Sequence, residues 1–391
     1  MTTPFTASWR VAAGACLASA WVLTTVAEQA QLRPPVLLLA GSSTLTPGVQ
    51  AVPCVTDWNG DGRKDLLVGY RYADKVALYL NTGTDATPAF TTFTNLQAGG
   101  VDINHPGSSC GGPAPWVCDY DGDGRRDLLV GTGAEGYVYY YRNTNTDAAP
   151  ILAPGQQLRA DGTVLSVSGR ATPCVQDWDG DGRDDLICGS INGPVFLFRN
   201  MGTRQAPVYA AGTNLWAGGV VLTLGARSVA RVFDWDGDGL KDLVGSSSTG
   251  VSWCRNLGSS AAPSLAAPVP IRAPVAAGGL LPINTSTRMR LCLVDWNEDG
   301  VVDLLLGNAE GTIARFEGYQ FRFTSIEAQS GTRCAFQWTS ALYLKYHVLG
   351  GSTPNSLSGV LASNLPSGGN GTCWTNPIQS GCEFYRLKVA E

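Results

Sequence analysis

The chain has 391 residues, 44% of them apolar, with a formal charge of −5 and 48 glycines. That length suits one large domain with a smaller companion, and glycine at nearly twice its usual roughly 7% share fits many hairpin turns. The mild acidity, without a basic cluster or a phosphate-binding loop, excludes nucleic acid from the expected partners.

Residues 1–30 read as a signal-like or N-terminal extension. Arg10 precedes an uncharged stretch, VAAGACLASAWVLTTVA (Val11–Ala27), with small residues at Thr25 and Ala27 for cleavage. Such a stretch is marginal as a retained anchor, and no stable membrane span is expected. Removing it takes away Cys16 and leaves ten cysteines, an even number that suits an oxidising, secreted or cell-surface location.

From Asp57 the chain carries one pattern five times: DWNGDGRKDLLVG, DYDGDGRRDLLVG from Asp119, DWDGDGRDDLICG from Asp177, DWDGDGLKDLVG from Asp234 and DWNEDGVVDLLLG from Asp295. Positions one, three, five and nine hold Asp57, Asn59, Asp61 and Asp65; Asp119, Asp121, Asp123 and Asp127; Asp177, Asp179, Asp181 and Asp185; Asp234, Asp236, Asp238 and Asp242; and Asp295, Asn297, Asp299 and Asp303. Carboxylates this crowded raise one another's pKa values unless a cation sits among them. Oxygen donors on alternate residues, with glycine at position six for a sharp turn, suit Ca²⁺, and about five ions are expected. Asn59 and Asn297 each remove one negative charge, so the first and fifth loops are expected to bind more weakly.

An EF-hand would need a bidentate Glu at position twelve, where this chain has Val68, Val130, Cys188, Gly245 and Leu306. The flanks, such as VPCVT and LLVG, are β-branched and closed by glycine, which predicts strands on both sides of each loop. After each of the first four loops come a further strand, an Asn and a Pro-marked turn, as in VALYLNTGTDATPAF (Val76–Phe90) and VFLFRNMGTRQAPVY (Val195–Tyr209). About four strands per unit of some 60 residues is the pattern of a propeller blade. The fifth copy has Leu304–Leu306 and Thr312–Phe316 and then stops. Its outer strand is expected from upstream, within Pro34–Gly48, which closes the ring without open edges.

These repeats resemble the FG-GAP or VCBS family, which includes the integrin α propellers, over residues 35–317. The phenylalanine–glycine and glycine–alanine–proline signatures are not evident, which points to the bacterial VCBS-type branch. The resemblance implies Ca²⁺ ligation by the side chains named above. It also implies ligation by the position-seven carbonyls, here those of Arg63, Arg125, Arg183, Leu240 and Val301. The expected fold is all-β: a five-bladed β-propeller over residues 31–318 with a Ca²⁺ loop in each blade, followed by a small C-terminal β-sandwich over 319–391. That tail alternates apolar with polar residues in Phe321–Ile326, Arg333–Trp338, Leu344–Leu349, Thr372–Thr375 and Glu383–Val389, and resembles a fibronectin-III-like module. Cys373 and Cys382 are placed to staple its last hairpin. Cys174 and Cys188 are equidistant from Asp181 and are expected to face each other, whereas Cys54 and Cys292, opposite Val68 and Leu306, read as small buried residues.

The catalytic inventory is thin. His105 and His347 lie in different domains outside any nucleophile motif, and eighteen of the 32 acidic residues occupy ligand positions. The expectation is a secreted, non-enzymatic binding or adhesion scaffold recognising extracellular protein or polysaccharide on propeller loops. The alternative is a subunit of an extracellular fibre, in which the segment before Pro34 adds as a strand to another copy of the chain. A polysaccharide lyase is a minor third reading. The aromatics at loop position two, Trp58, Tyr120, Trp178, Trp235 and Trp296, form a fivefold set. They serve either as sugar platforms or, preferably, as wedges between blades.

Overall fold

The computed structural model describes residues 7–10, 31–105, 112–275, 280–283 and 288–319, together with the backbone of strands at 323–329, 333–339, 345–351, 359–366, 371–377 and 384–389. The signal-like stretch 11–27 and the Cys373–Cys382 staple lie outside what is described. Among the described residues every regular element is a strand.

Five four-stranded antiparallel sheets form the ring. Blade 1 runs Val49–Thr56, Asp65–Arg71, Lys75–Tyr79 and Thr94–Asn95 from the inside outward. Blades 2 to 4 repeat this order, with inner strands Ala114–Cys118, Thr172–Gln176 and Val229–Phe233. Blade 5 has Arg290–Val294, Asp303–Gly307 and Ile313–Phe316, and takes its outer strand, Val36–Leu37, from the start of the chain. The inner strands of neighbouring blades touch all the way round, blade 5 against blade 1 included. The fifth outer strand therefore comes from within Pro34–Gly48, as its sequence predicts. The outer strands are two residues long and exposed, which limits edge pairing.

The second strand of each blade reads DLLVG or a near relative, is buried throughout, and supplies apolar residues to both faces of its sheet. At its end the neighbouring blade comes very close. A Cβ on Gly131 would lie 2.0 Å from the Ala171 carbonyl oxygen, and one on Gly307 would lie 2.1 Å from that of Ala51. Blade 4 has Ser246 in this place, and its hydroxyl donates to the Met289 carbonyl at 3.1 Å.

The five position-two aromatics are buried. Trp296 of blade 5 meets Phe90 of blade 1 edge-on at 6.1 Å, and Trp58 of blade 1 packs with Leu96, Leu128 and Leu152 between blades 1 and 2. They are wedges between blades, and none of these five rings is left free to stack on a sugar.

The expected facing of Cys174 and Cys188 is wrong by one residue. Gln176 pairs with Asp185, so the centre of the hairpin falls between residues 180 and 181. Cys174 therefore pairs with Ile187, and Cys188 with Pro173. A one-residue offset turns a side chain to the other face of the sheet. Cys174 packs with Trp178 and Leu243, and Cys188 with Tyr120 and Val138. By the same shift Cys54 lies opposite Leu67 and Cys292 opposite Leu305. All four are free thiols, as are Cys118 and Cys254.

Beyond residue 319 the strands make two sheets. One orders Phe323–Gln329, Arg333–Thr339 and Gly371–Pro377. The other orders Ala7–Arg10, Phe384–Val389, Lys345–Gly351 and Gly359–Pro366. Gly359–Pro366 is a strand that the alternation pattern missed. Ala7–Arg10 adds to the edge of its own chain's sheet, with Ala7 opposite Leu387 and Arg10 opposite Phe384.

Trp296, with 0% of its surface exposed, fixes the seam between the last and first blades. Trp296→Ala is expected to cost about 3–5 kcal/mol, and Val36→Ala, at a position 65% exposed, about 0.5 kcal/mol or less. Guanidinium unfolding midpoints of the two variants check this.

Candidate metal loops

Each loop is folded by its own carboxylates. At position one, Asp57 accepts the N–H of Asp61 at 3.0 Å on one oxygen and that of Gly62 at 3.1 Å on the other. Asp234 does the same with Asp238 and Gly239, and Asp295 with Asp299 and Gly300. Asp177 also takes the N–H of Gly180, at 2.7 Å. The position-five carboxylates Asp61, Asp123, Asp181, Asp238 and Asp299 accept the N–H of position seven at 2.8–3.0 Å. The position-six glycines Gly62, Gly124, Gly182, Gly239 and Gly300 have φ between 83° and 87°, with open space where a Cβ would stand. Backbone conformation alone demands glycine there.

Position nine does more than its spacing suggests. In each blade this buried aspartate joins two distant parts of the backbone. One oxygen of Asp185 accepts the N–H of Trp178 at 3.3 Å, and the other accepts that of Asn200 at 2.7 Å. Asp65, Asp127 and Asp242 hold the corresponding pairs, Trp58 and Asn81, Tyr120 and Asn143, and Trp235 and Asn256. Asp303 holds Trp296 and Gly318. The Asn that recurs in the sequence then uses its own side-chain oxygen to hold the next turn. Asn200 Oδ1 accepts from Gly202 at 2.9 Å and from Val208 at 3.1 Å.

Three loops bring carboxylate oxygens within 4.8 Å of one another: Asp119, Asp121 and Asp127; Asp177, Asp179 and Asp181; and Asp234, Asp236 and Asp242. Oδ1 of Asp119, Asp121 and Asp179 is buried with no hydrogen-bond partner in the protein. Hard, unsatisfied oxygens gathered on one centre fit a divalent cation. In the first and fifth loops the amides of Asn59 and Asn297 donate to Asp61 and Asp299 at 3.0 and 3.1 Å.

Arginines that spacing alone did not single out complete the picture. Arg142 pairs with Asp121 at 2.7 Å and Asp123 at 2.9 Å, Arg199 with Asp179 at 2.6 Å, and Arg255 with Asp236 at 2.7 Å and Asp238 at 3.0 Å. Each stands just before the Asn that bonds position nine. In blades 1 and 5 that place holds Leu80 and Glu317, and position three is Asn. An extra aspartate thus occurs together with an arginine, and the asparagine loops are not short of negative charge relative to the others. The premise for weaker binding in the first and fifth loops is removed. At position seven, Arg63, Arg125 and Arg183 also ion-pair with Asp61, Asp123 and Asp181, whereas Leu240 and Val301 carry no charge.

Burial pushes Asp127, Asp185 and Asp303 up to about 6, and raises Asp65 and Asp242 as well. His105 is a packing residue: its Nε2 meets the Tyr141 hydroxyl at 2.8 Å, its ring lies 4.5 Å from that of Tyr139, and burial lowers its pKa.

Two predictions follow from position nine. Without metal, the position-nine aspartates hold protons more tightly in the folded protein than in the unfolded chain, where they titrate near 3.9. Their contribution to the stability of chelated protein is therefore expected to be full below about pH 4 and to be lost as pH rises through about 6; melting temperatures from pH 4 to 7, compared between wild type and Asp185→Asn, check this. Saturating calcium should reverse the trend by holding the carboxylates ionised. Separately, Asp185→Ala is expected to destabilise even the chelated protein, by about 2–4 kcal/mol, because it strands two backbone amides. Asp181→Ala, which loses one exposed turn bond to Arg183 N–H, should cost the chelated protein less than Asp185→Ala and act mainly on the calcium-dependent part of the melt.

No family model matches the chain. Over 174 residues, 42% of its length, it is 30% identical to integrin alpha-4 of Xenopus laevis, covering 16% of that protein. It is 28% identical to integrin alpha-7 of Mus musculus over 174 residues, covering 42% of this chain and 14% of that protein. The chain thus spans only 14–16% of the length of these relatives. A solved Agrocybe aegerita lectin, described as recognising non-reducing terminal N-acetylglucosamine, aligns at 15% identity and a TM-score of 0.34. It covers 84% of this chain and 85% of its own. The integrin matches and the five-bladed ring together show an integrin-like FG-GAP propeller.

Proposed function

We propose that the chain is a secreted, calcium-stabilised, non-enzymatic scaffold whose propeller, residues 31–318, binds extracellular protein or polysaccharide. The C-terminal strands, 319–391, would form a separate small sandwich. The observation that carries this reading is the commitment of the loop carboxylates to turn structure. Positions one, five and nine all hold backbone amides, which favours ions that brace hairpins over an open Lewis-acid site. The ligands would be the side chains at positions one, three, five and nine and the carbonyls at position seven. The integrin relatives favour an extracellular setting, and no helix among the described residues is long and apolar enough to cross a membrane.

Titration calorimetry is expected to count about five Ca²⁺ ions, with the Asn59 and Asn297 loops no weaker than the rest. One site filled at a hundred times its Kd adds about 2.7 kcal/mol, so chelation should lower the melting temperature by at least about 10 °C. A melting curve unchanged in excess chelator would sink the calcium assignment. Binding to immobilised extracellular polysaccharides and proteins, lost on chelation, tests the scaffold role.

The pairing of Ala7–Arg10 with Phe384–Val389 favours a second reading, assembly of copies by strand exchange. The same edge would accept the strand of another molecule, and head-to-tail repetition would build a fibre. Deleting residues 1–30, which spares the seam residues Gln31, Leu32 and Arg33, should then abolish polymers seen by electron microscopy while leaving the calcium-dependent melt intact. A full-length protein that stays monomeric at high concentration in calcium would overturn this reading.

A further inference from the structure

The inner strands carry charge at the end away from the metal loops as well. Seven residues before each first loop aspartate stand Gln50, Gly112, Arg170, Arg227 and Arg288, one per blade. Four of the five have left-handed backbone: Gln50 at φ 57°, Arg170 at 53°, Arg227 at 61° and Arg288 at 61°. A long side chain rarely adopts this conformation, and it persists where the surroundings impose it, often at binding sites. Repeated at one register position in four blades, it sets a ring of side chains around the start of the inner strands.

Two residues further along, blade 5 places Arg290 in its inner strand, with 0% of its surface exposed. Its Nη1 donates to the Arg227 carbonyl at 3.4 Å and to the Met289 carbonyl at 2.8 Å. Its Nε and Nη2 are buried with no partner in the protein, as is Nε of Arg227. The Gln50 amide, with its oxygen turned toward them, receives the guanidinium groups of Arg71 and Arg288 together. Deeper in the bore, Arg231 of blade 4 lies over the Trp116 ring of blade 2 at 4.9 Å, a contact between non-adjacent blades that crosses the axis. The charges acting on Arg290 are all cationic, those of Arg170, Arg227 and Arg288; with burial, which acts most strongly, they push its pKa far down. Glu135 and Glu310, on turns at this end of the blades, are exposed.

A guanidinium does not escape such a site by losing its proton. Buried, unpaired and among like charges, it is stable only with an anion beside it. We propose that the mouth of the bore is an anion site formed by Arg227, Arg288 and Arg290, with Arg170 and Gln50 beside them, for a tetrahedral oxyanion of the phosphate or sulfate class. Guanidinium groups arriving from several blades match oxygens that point in several directions, whereas a carboxylate offers two in one plane. The burial of Arg290 limits the occupant to a small ion or a single terminal group. Free oxyanion and a sulfate ester ending a glycan share this chemistry.

Titration calorimetry of calcium-saturated full-length protein with inorganic sulfate, at ionic strength held constant with chloride, tests the site. One-to-one binding with Kd of about 1 mM or tighter is expected. Arg227→Gln and Arg288→Gln, both at partly exposed positions, should each weaken it at least about tenfold, and Arg159→Gln on an outer turn should not. Arg290→Gln has a greater risk of misfolding and serves only as a further variant. A sulfated oligosaccharide is the second arm. Tighter binding than sulfate, lost in the same two variants, assigns the site to a glycan terminus, and binding of sulfate alone assigns it to a structural ion. No saturable heat with sulfate or phosphate up to 10 times that Kd, or equal affinity in wild type and both variants, overturns the proposal. Metal content is measured separately, so failure of the calcium reading would be seen on its own.

Discussion

Each blade depends on one buried aspartate that holds two backbone amides. The carboxylate of Asp185, and its counterparts Asp65, Asp127, Asp242 and Asp303, ties the start of the acidic loop to the chain leaving the third strand. Desolvating a carboxylate is costly, and the two charge-assisted bonds offset much of that cost. The tie also fixes geometry. It holds the loop's first turn against the body of the blade, and in the second, third and fourth loops the carboxylates at positions one and three gather on one centre with that of position nine or five. Turn formation and the gathering of carboxylate oxygens are thus two outcomes of the same arrangement.

The ring adds a second level of order. Between blades the contacts are steric: a glycine where the next inner strand comes too close for a Cβ, and a large aromatic filling the wider gap beside it. Both lie within the repeated motif, one at position two and one at position thirteen, so the segment that builds a loop also builds the interface to the next blade. This economy explains how the period can vary between 57 and 62 residues while the blades stay equivalent.

How much of this was legible in the sequence depends on how far apart the partners are. Spacing within thirteen residues revealed the loops, the hairpins and the blade count, and the strand-like run near Val36 revealed the closure. The register did not follow from symmetry about Asp181, because the pairing centre is set by which backbone groups bond, half a residue away. The arginines that balance Asp121, Asp179 and Asp236 lie about twenty residues downstream, just past the third strand, and only strand pairing brings them back. The axial arginines are harder still. Arg227 and Arg290 look like ordinary scattered cations until the ring places them side by side, 63 positions apart in the chain.

The composite fifth blade has a mechanical consequence. Gln31 pairs with Tyr319 and Leu32 with Gly318, and Arg33 reinforces them with a 2.7 Å backbone bond and a 3.0 Å ion pair to Glu317. The chain therefore enters and leaves the ring at adjacent points. Tension applied along the polypeptide passes from one side of this seam to the other and bypasses the blades, whose loops stay unloaded. Antiparallel strands pulled from neighbouring ends unzip one pair at a time, so the seam acts as a weak link in series with a protected body. Once it opens, blade 5 loses its outer strand, and some 280 residues of slack become available, released blade by blade.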